Sequence, residues 1–113
     1  MAGMNNVLLF NQEFAASGTA TSEAIDISKA NALSIHHNET AGTGTITYTY
    51  SLSTSQDGTY ITPTSPVTIG ADVTADDVLD FAPEAASWIK ITATESGGSA
   101  AVTIISTLCV QEM

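Results

Sequence analysis

Apolar and polar side chains alternate at every second position through residues 45–53, which read Thr-Ile-Thr-Tyr-Thr-Tyr-Ser-Leu-Ser. A helix repeats its faces about every 3.6 residues, so it would scatter this pattern around its circumference. An extended chain sends neighbouring side chains to opposite faces and sorts the pattern cleanly. Ile46, Tyr48, Tyr50 and Leu52 then share one face, and Thr45, Thr47, Thr49, Ser51 and Ser53 share the other. That is a strand packed on one side and wet on the other. Threonine suits the wet side because its branched Cβ fits the pleat and its hydroxyl tolerates water.

The same logic predicts further strands along the chain. Residues 7–14 put Leu8, Phe10 and Phe14 in phase around polar Gln12. Residues 22–27 place Ile25 with Ile27, and residues 32–36 place Leu33 with Ile35. Residues 67–69 are a short candidate. Residues 88–94 set Ile89, Ile91 and Ala93 against Trp88, Lys90 and Thr92. Residues 100–110 carry Val102, Ile104, Leu108 and Val110 in phase. Asp57-Gly58 is a strong turn signal, and Pro63 and Pro66 confine the stretch after it to an edge or a loop. The Gly-rich run Glu95-Ser96-Gly97-Gly98-Ser99 predicts an antiparallel hairpin between the last two strands. Helix is scarce. The one candidate covers residues 74–81, with Thr74 as a cap and Asp76 and Asp77 at the positive end.

About eight short strands separated by turn signals predict an all-β fold, an antiparallel β-sandwich of jelly-roll-like form with at most one short helix. The 113 residues fit a single domain, 1–113, with residues 1–6 as a candidate N-terminal arm, flexible or in contact with a partner.

Charge narrows the partners. Charged residues are 12% of the chain, and twelve carboxylates face only Lys29 and Lys90, for a formal net charge of −10. Nucleic-acid binding rests on clustered Lys and Arg that displace counterions, so no nucleic-acid partner is expected. Docking on anionic lipid is disfavoured for the same reason. Val7-Leu8-Leu9-Phe10 is too short for a signal peptide and lacks a basic start. No segment reaches the roughly 20 apolar residues of a membrane span. The expectation is a chain made in the cytoplasm, without a signal peptide and with no membrane partner.

The search for chemistry yields little. Cys109 is the single cysteine, so no intrachain disulfide can form, and its apolar neighbours predict a buried small hydrophobe. His36 and His37 are adjacent, so in a strand they point to opposite faces and cannot chelate one ion together. Asp72, Asp76, Asp77 and Asp80, with Glu84, form the densest run of charge. They are weak candidates for a cation site, because their spacing lacks the alternating ligands and central Gly of a calcium loop. A solvated acidic loop is the plainer reading. There is no nucleophile elbow and no phosphate-cradling loop, so neither an enzyme nor a cofactor is expected. Trp88 and Tyr60 could stack on a sugar or meet a partner subunit, but the plainer reading is core, with Trp88 opening a strand and plugging one end of the sandwich. Tyr48 and Tyr50 share a face with Ile46 and Leu52 and read as core.

The order of segments resembles the small β-sandwich structural proteins of bacteriophage particles. The matching stretches are Gly18-Thr19-Ala20-Thr21-Ser22-Glu23-Ala24-Ile25-Asp26-Ile27, Ala32-Leu33-Ser34-Ile35, residues 45–53 with Gln56-Asp57-Gly58-Thr59-Tyr60, and Trp88-Ile89-Lys90-Ile91-Thr92-Ala93-Thr94. The resemblance implies a non-enzymatic virion component, a capsid decoration (cement) protein or a small head or tail accessory subunit. Its partners would be other virion proteins, such as a major capsid or tail protein, and copies of itself. Its location would be the virion, assembled in the host cytoplasm. Val7, Leu8, Leu9 and Phe10, Trp88, Tyr60 and the long last strand are the expected partner contacts, since an edge strand offers unpaired backbone groups. The alternative is a carbohydrate-binding β-sandwich module.

Overall fold

In a computed structural model, residues 3–113 are described, and they form nine strands and no helix. The strands are β1 (Met4–Phe14), β2 (Thr19–Thr21), β3 (Ile25–Asp26), β4 (Ala30–Gly42), β5 (Ile46–Ser53), β6 (Gly70–Val73), β7 (Asp77–Phe81), β8 (Trp88–Glu95) and β9 (Val102–Glu112). They make two antiparallel sheets packed face to face. The front sheet runs β1-β9-β4-β7; the back sheet runs β2-β8-β5-β6, with β3 also paired to β8. No helix is long and apolar enough to cross a membrane.

The alternation read from the sequence supplies both inner faces. Ile46, Tyr48, Tyr50 and Leu52 point inward from β5, and Ile89, Ile91 and Ala93 from β8. Val102, Ile104, Leu108 and Val110 face them from β9, with Leu33 and Ile35 from β4. These side chains, with Phe10, Phe14, Ile25, Ile27, Ile69 and Phe81, form one continuous core. Burying aliphatic side chains of this size contributes about 1.5–3 kcal/mol each, which is the main force closing the sandwich.

Several local expectations are corrected. The segment around residues 74–81 is not helical: β7 pairs antiparallel with β4, Leu33 opposite Phe81 and Ile35 opposite Leu79. A one-turn helix is marginal by itself, whereas the edge of β4 satisfies this backbone and buries Phe81. Residues 95–99 do not close a hairpin. They carry the chain from the back sheet to the front, because β8 pairs with β5, β2 and β3 while β9 pairs with β1 and β4. The short strand expected at residues 67–69 lies further on, at β6. Ile61 makes one isolated bridge to Leu52 before the prolines.

The N-terminal segment also differs. Met4, Asn5 and Asn6 lie in β1, opposite Gln111, Val110 and Cys109, so from Met4 onward the expected arm is paired strand. Met1 and Ala2 lie outside the described residues. A register shift between Leu8 and Phe10 inserts Leu9 as an extra residue. Such a bulge reverses the parity of the strand. Phe10 and Phe14 therefore point into the core while Leu8 is 60% exposed, out of phase with them.

Candidate functional site

Residues set apart by their chemistry occupy four places: the outer face of each sheet, a buried carboxylate at one end of the sandwich and a polar chain inside the core.

The outer face of the front sheet follows from the register. Leu8 lies opposite Thr107, Thr107 opposite His36, and His36 opposite Val78, so one row crosses all four strands. Asn6, Cys109, Ser34 and Asp80 make the next row. Met4, Leu8, Val78 and Ile105 are all exposed, and all project on this side. Its carboxylates, Glu13 and Asp80, stand on the two edge strands. Cys109 also points here and is half-buried, not a core residue as expected. The inward positions of β9 fall on its even-numbered residues, which leaves residue 109 on the outer side.

The outer face of the back sheet is built of hydroxyls. Thr19, Thr94 and Thr47 form one row across β2, β8 and β5, and Thr21, Thr92 and Thr49 form the next. The Thr19 and Thr94 hydroxyls are 3.0 Å apart and those of Thr21 and Thr92 are 2.9 Å apart. Further along β8, Lys90 pairs with Ser51 and Trp88 with Ser53. The Lys90 ammonium stands 4.3 Å from the centre of the Tyr60 ring, a cation–π contact. The Tyr60 hydroxyl donates to the Gln56 carbonyl at 2.8 Å. Trp88 and Tyr60 are thus half-buried on the face opposite to Met4 and Leu8.

The expected partner contacts are accordingly divided. Leu8 is presented to solvent on the front face, while Val7 and Leu9 are half-buried against the core. Phe10 is 4% exposed and packs edge-to-face on Phe14, so it has no surface to offer a partner. The last strand, β9, lies between β1 and β4, so its backbone is already paired on both sides and cannot accept another strand. The edge role falls to β1.

The acidic candidates do not converge. Asp72 accepts from the Ser96 hydroxyl at 2.6 Å, Asp76 from the Glu39 backbone N–H at 2.8 Å, and Asp77 from the Val78 N–H at 2.8 Å. Asp80 is on the outer face of β7, while Asp77 has the opposite parity. Among the described residues no three His, Cys, Asp or Glu side chains gather as a metal would require.

Two buried acid–base features were missed by reading the sequence. Glu95 is 1% exposed and accepts four backbone N–H groups: Ser17 at 3.0 Å and Gly98 at 2.8 Å on Oε1, Thr45 and Gly97 at 2.9 Å on Oε2. These bonds, led by those from Ser17 and Thr45, hold the carboxyl down at about 2 against the opposing effect of burial. One side chain thereby ties together three loops at one end of the sandwich. The signal was present but faint: Glu95 continues the inward phase of Ile89, Ile91 and Ala93.

The second feature is a polar chain between the sheets. His37, 1% exposed, sits on the inner face of β4. Its Nδ1 is 2.6 Å from the Tyr48 hydroxyl on the opposing sheet, and its Nε2 is 3.3 Å from Oε1 of Glu39. Ser106, directly across from His37 on β9, is fully buried, and its Oγ makes no hydrogen bond. Burial pushes the Tyr48 hydroxyl up to about 12. Serine, histidine and a carboxylate stand together here, but the serine and histidine are sealed from any substrate. What the arrangement does is bridge the two sheets with a specific polar contact.

Comparison with known proteins bears on the fold. No family model and no curated protein matches the sequence. Among solved structures, the SPBc2 prophage-derived protein YomS superposes with a TM-score of 0.62 at 12% identity, over 99% of this chain and 96% of that one. The VP2 subviral particle of infectious bursal disease virus superposes with a TM-score of 0.58 at 16% identity, over 98% of this chain and 33% of that one. The Gx strain of the same virus gives a TM-score of 0.56 at 19% identity, over 98% and 32%. The chain spans about a third of the length of the viral chains it matches. At these identities the likeness is one of fold.

Proposed function

We propose that this protein is a non-enzymatic structural subunit of a phage particle, a capsid decoration (cement) or small head or tail accessory protein. It acts through many-copy contacts with other virion proteins and with copies of itself. The observation that carries this reading is that four exposed apolar side chains, Met4, Leu8, Val78 and Ile105, share the outer face of the front sheet, whose carboxylates stand on the edge strands. Exposed apolar patches on a soluble domain mark interaction surfaces. A partner docking there desolvates little charge, whereas the net charge of −10 keeps the rest of the surface soluble. Repeated over a lattice, modest contacts of this kind add through avidity. The shared fold with a prophage-derived protein and with a virus-particle protein supports the same reading.

The test is mass spectrometry and negative-stain microscopy of virions from the phage whose genome carries the gene. The chain is expected in purified particles, and a Leu8→Lys/Ile105→Lys double variant is expected to lose occupancy while melting as the parent does. Absence of the chain from particles overturns the proposal. Deleting residues 1–10 would not serve, because it removes Phe10 from the core and most of β1 from its pairing with β9.

A second reading, a carbohydrate-binding module, draws on Trp88, Lys90 and Tyr60 sharing the hydroxyl-rich back face. It expects glycan-array binding that disappears in Trp88→Ala and Tyr60→Ala.

A further inference from the structure

We propose that Ser106 is a reserve hydrogen-bond acceptor that lets the buried Glu39–His37–Tyr48 chain hold either protonation state of His37 without opening the sandwich. The starting point is an anomaly. Buried polar atoms are almost always hydrogen-bonded, and an orphan calls for an explanation. Ser106 Oγ is fully buried and unpaired, yet it lies beside the hydroxyl of Tyr48 from the facing sheet, with His37, both of whose ring nitrogens are engaged, directly across the strands.

Proton placement explains the orphan. A neutral imidazole has one donor and one acceptor nitrogen. With Glu39 ionised, Nε2–H donates to the carboxylate, and Nδ1 must accept from the Tyr48 hydroxyl. Every member of the chain is then satisfied, and Ser106 is left over. When His37 gains a proton, both ring nitrogens become donors. Nδ1–H now points at the Tyr48 oxygen, which can accept it only by turning its own hydrogen elsewhere. Ser106 Oγ is the acceptor at hand. The proton count balances: one proton is taken from solvent onto Nδ1, and the Tyr48 hydrogen rotates from His37 to Ser106 without leaving its oxygen.

The surroundings support the charged state as well. Glu39, on the same strand, forms the 3.3 Å ion pair with Nε2. From β7, Asp77 stands opposite His37 in the register. Just before β7, Asp76 holds the Glu39 N–H. From β5 comes Tyr48, whose ring meets the imidazole edge-on at 5.5 Å between centroids. From β9 comes Ser106. No cation appears among these groups, so the imidazolium faces carboxylates and hydroxyls only.

Histidine changes charge between about pH 5 and pH 8, so melting temperature is compared at those two limits, alongside ring-proton NMR of His37. The parent is expected to show His37 protonating in the folded state, with little loss of melting temperature across the range. Ser106→Ala is expected to match the parent at the alkaline limit and to fall by roughly 4–8 °C more at the acid limit, where the Tyr48 hydrogen has no acceptor. Introducing His37→Gln into both the parent and the Ser106→Ala variant should abolish the pH-dependent difference between them. If Ser106→Ala does not fold, Ser106→Cys makes the same test, since its thiol fills the space but is only a weak acceptor for the Tyr48 hydrogen. Parallel melting curves for variant and parent overturn the proposal, as does an imidazole that stays neutral until the fold melts.

Discussion

The Tyr50 hydroxyl donates to Oε1 of Glu84 at 2.7 Å, joining residues that are 34 positions apart in the chain. The same oxygen accepts the backbone N–H of Val67 at 2.9 Å. A strand residue that the alternation assigns to the core thus also anchors the loops before β6 and after β7. Its ring packs on Phe81, with centroids 6.2 Å apart.

Tyr50→Phe keeps the ring and removes both bonds. Urea unfolding should show a loss of about 0.5–1.5 kcal/mol, the net worth of hydrogen bonds whose outer partners, Val67 and Glu84, water can reach once the hydroxyl is gone. A variant equal to the parent in midpoint and slope would show that these loops are held by packing alone.

Glu95 should govern acid stability. Its folded value of about 2 lies below the ordinary 4.5, so the unfolded chain takes up the proton first as the pH falls. Its contribution is complete above the ordinary value and fades as pH drops toward about 2. Urea midpoints of the parent should therefore decline through that window. Glu95→Gln should be less stable near neutrality and lose much of the decline.

Ile104→Ala removes a fully buried side chain from β9, at the centre of the front sheet. The expected cost is about 2–5 kcal/mol, combining lost burial with the cavity left behind. Ile105→Ala, one residue away and on the solvent face, should shift stability by less than about 0.5 kcal/mol. The contrast between these neighbours tests the inward–outward phase of β9 directly.

Gly42 closes β4 at a φ of 84°, and a Cβ there would collide with the Ala101 carbonyl. Gly42→Ala combines left-handed strain with that clash and should lower the melting temperature by roughly 4–8 °C or more.

How much of this was legible in advance differs from element to element. The inward faces of β5, β8 and β9 could be read position by position, because a strand with one buried face must alternate. The bulge at Leu9 could not, since one inserted residue leaves local composition unchanged while reversing which neighbours turn inward. The strand at β7 was hidden for a related reason. Asp-Val-Leu-Asp-Phe is ambiguous alone and becomes a strand only because the edge of β4 is available beside it. The polar members of the core, His37, Ser106 and Glu95, sit in phase with apolar residues, but what satisfies them comes from other strands and loops.

Periodicity therefore determined that this chain builds extended, one-side-buried strands, and composition that its surface is acidic and nearly cation-free, because both are local properties of the residues. Only the tertiary structure decided which strands became neighbours. Nearly every pairing here, such as β1 with β9 or β5 with β8, joins segments far apart in the chain, and no local preference specifies a partner of that kind. The same long-range closure put Met4, Leu8, Val78 and Ile105 on one outer face and placed Ser106 beside His37, since each requires register between strands that meet only when the sandwich is complete.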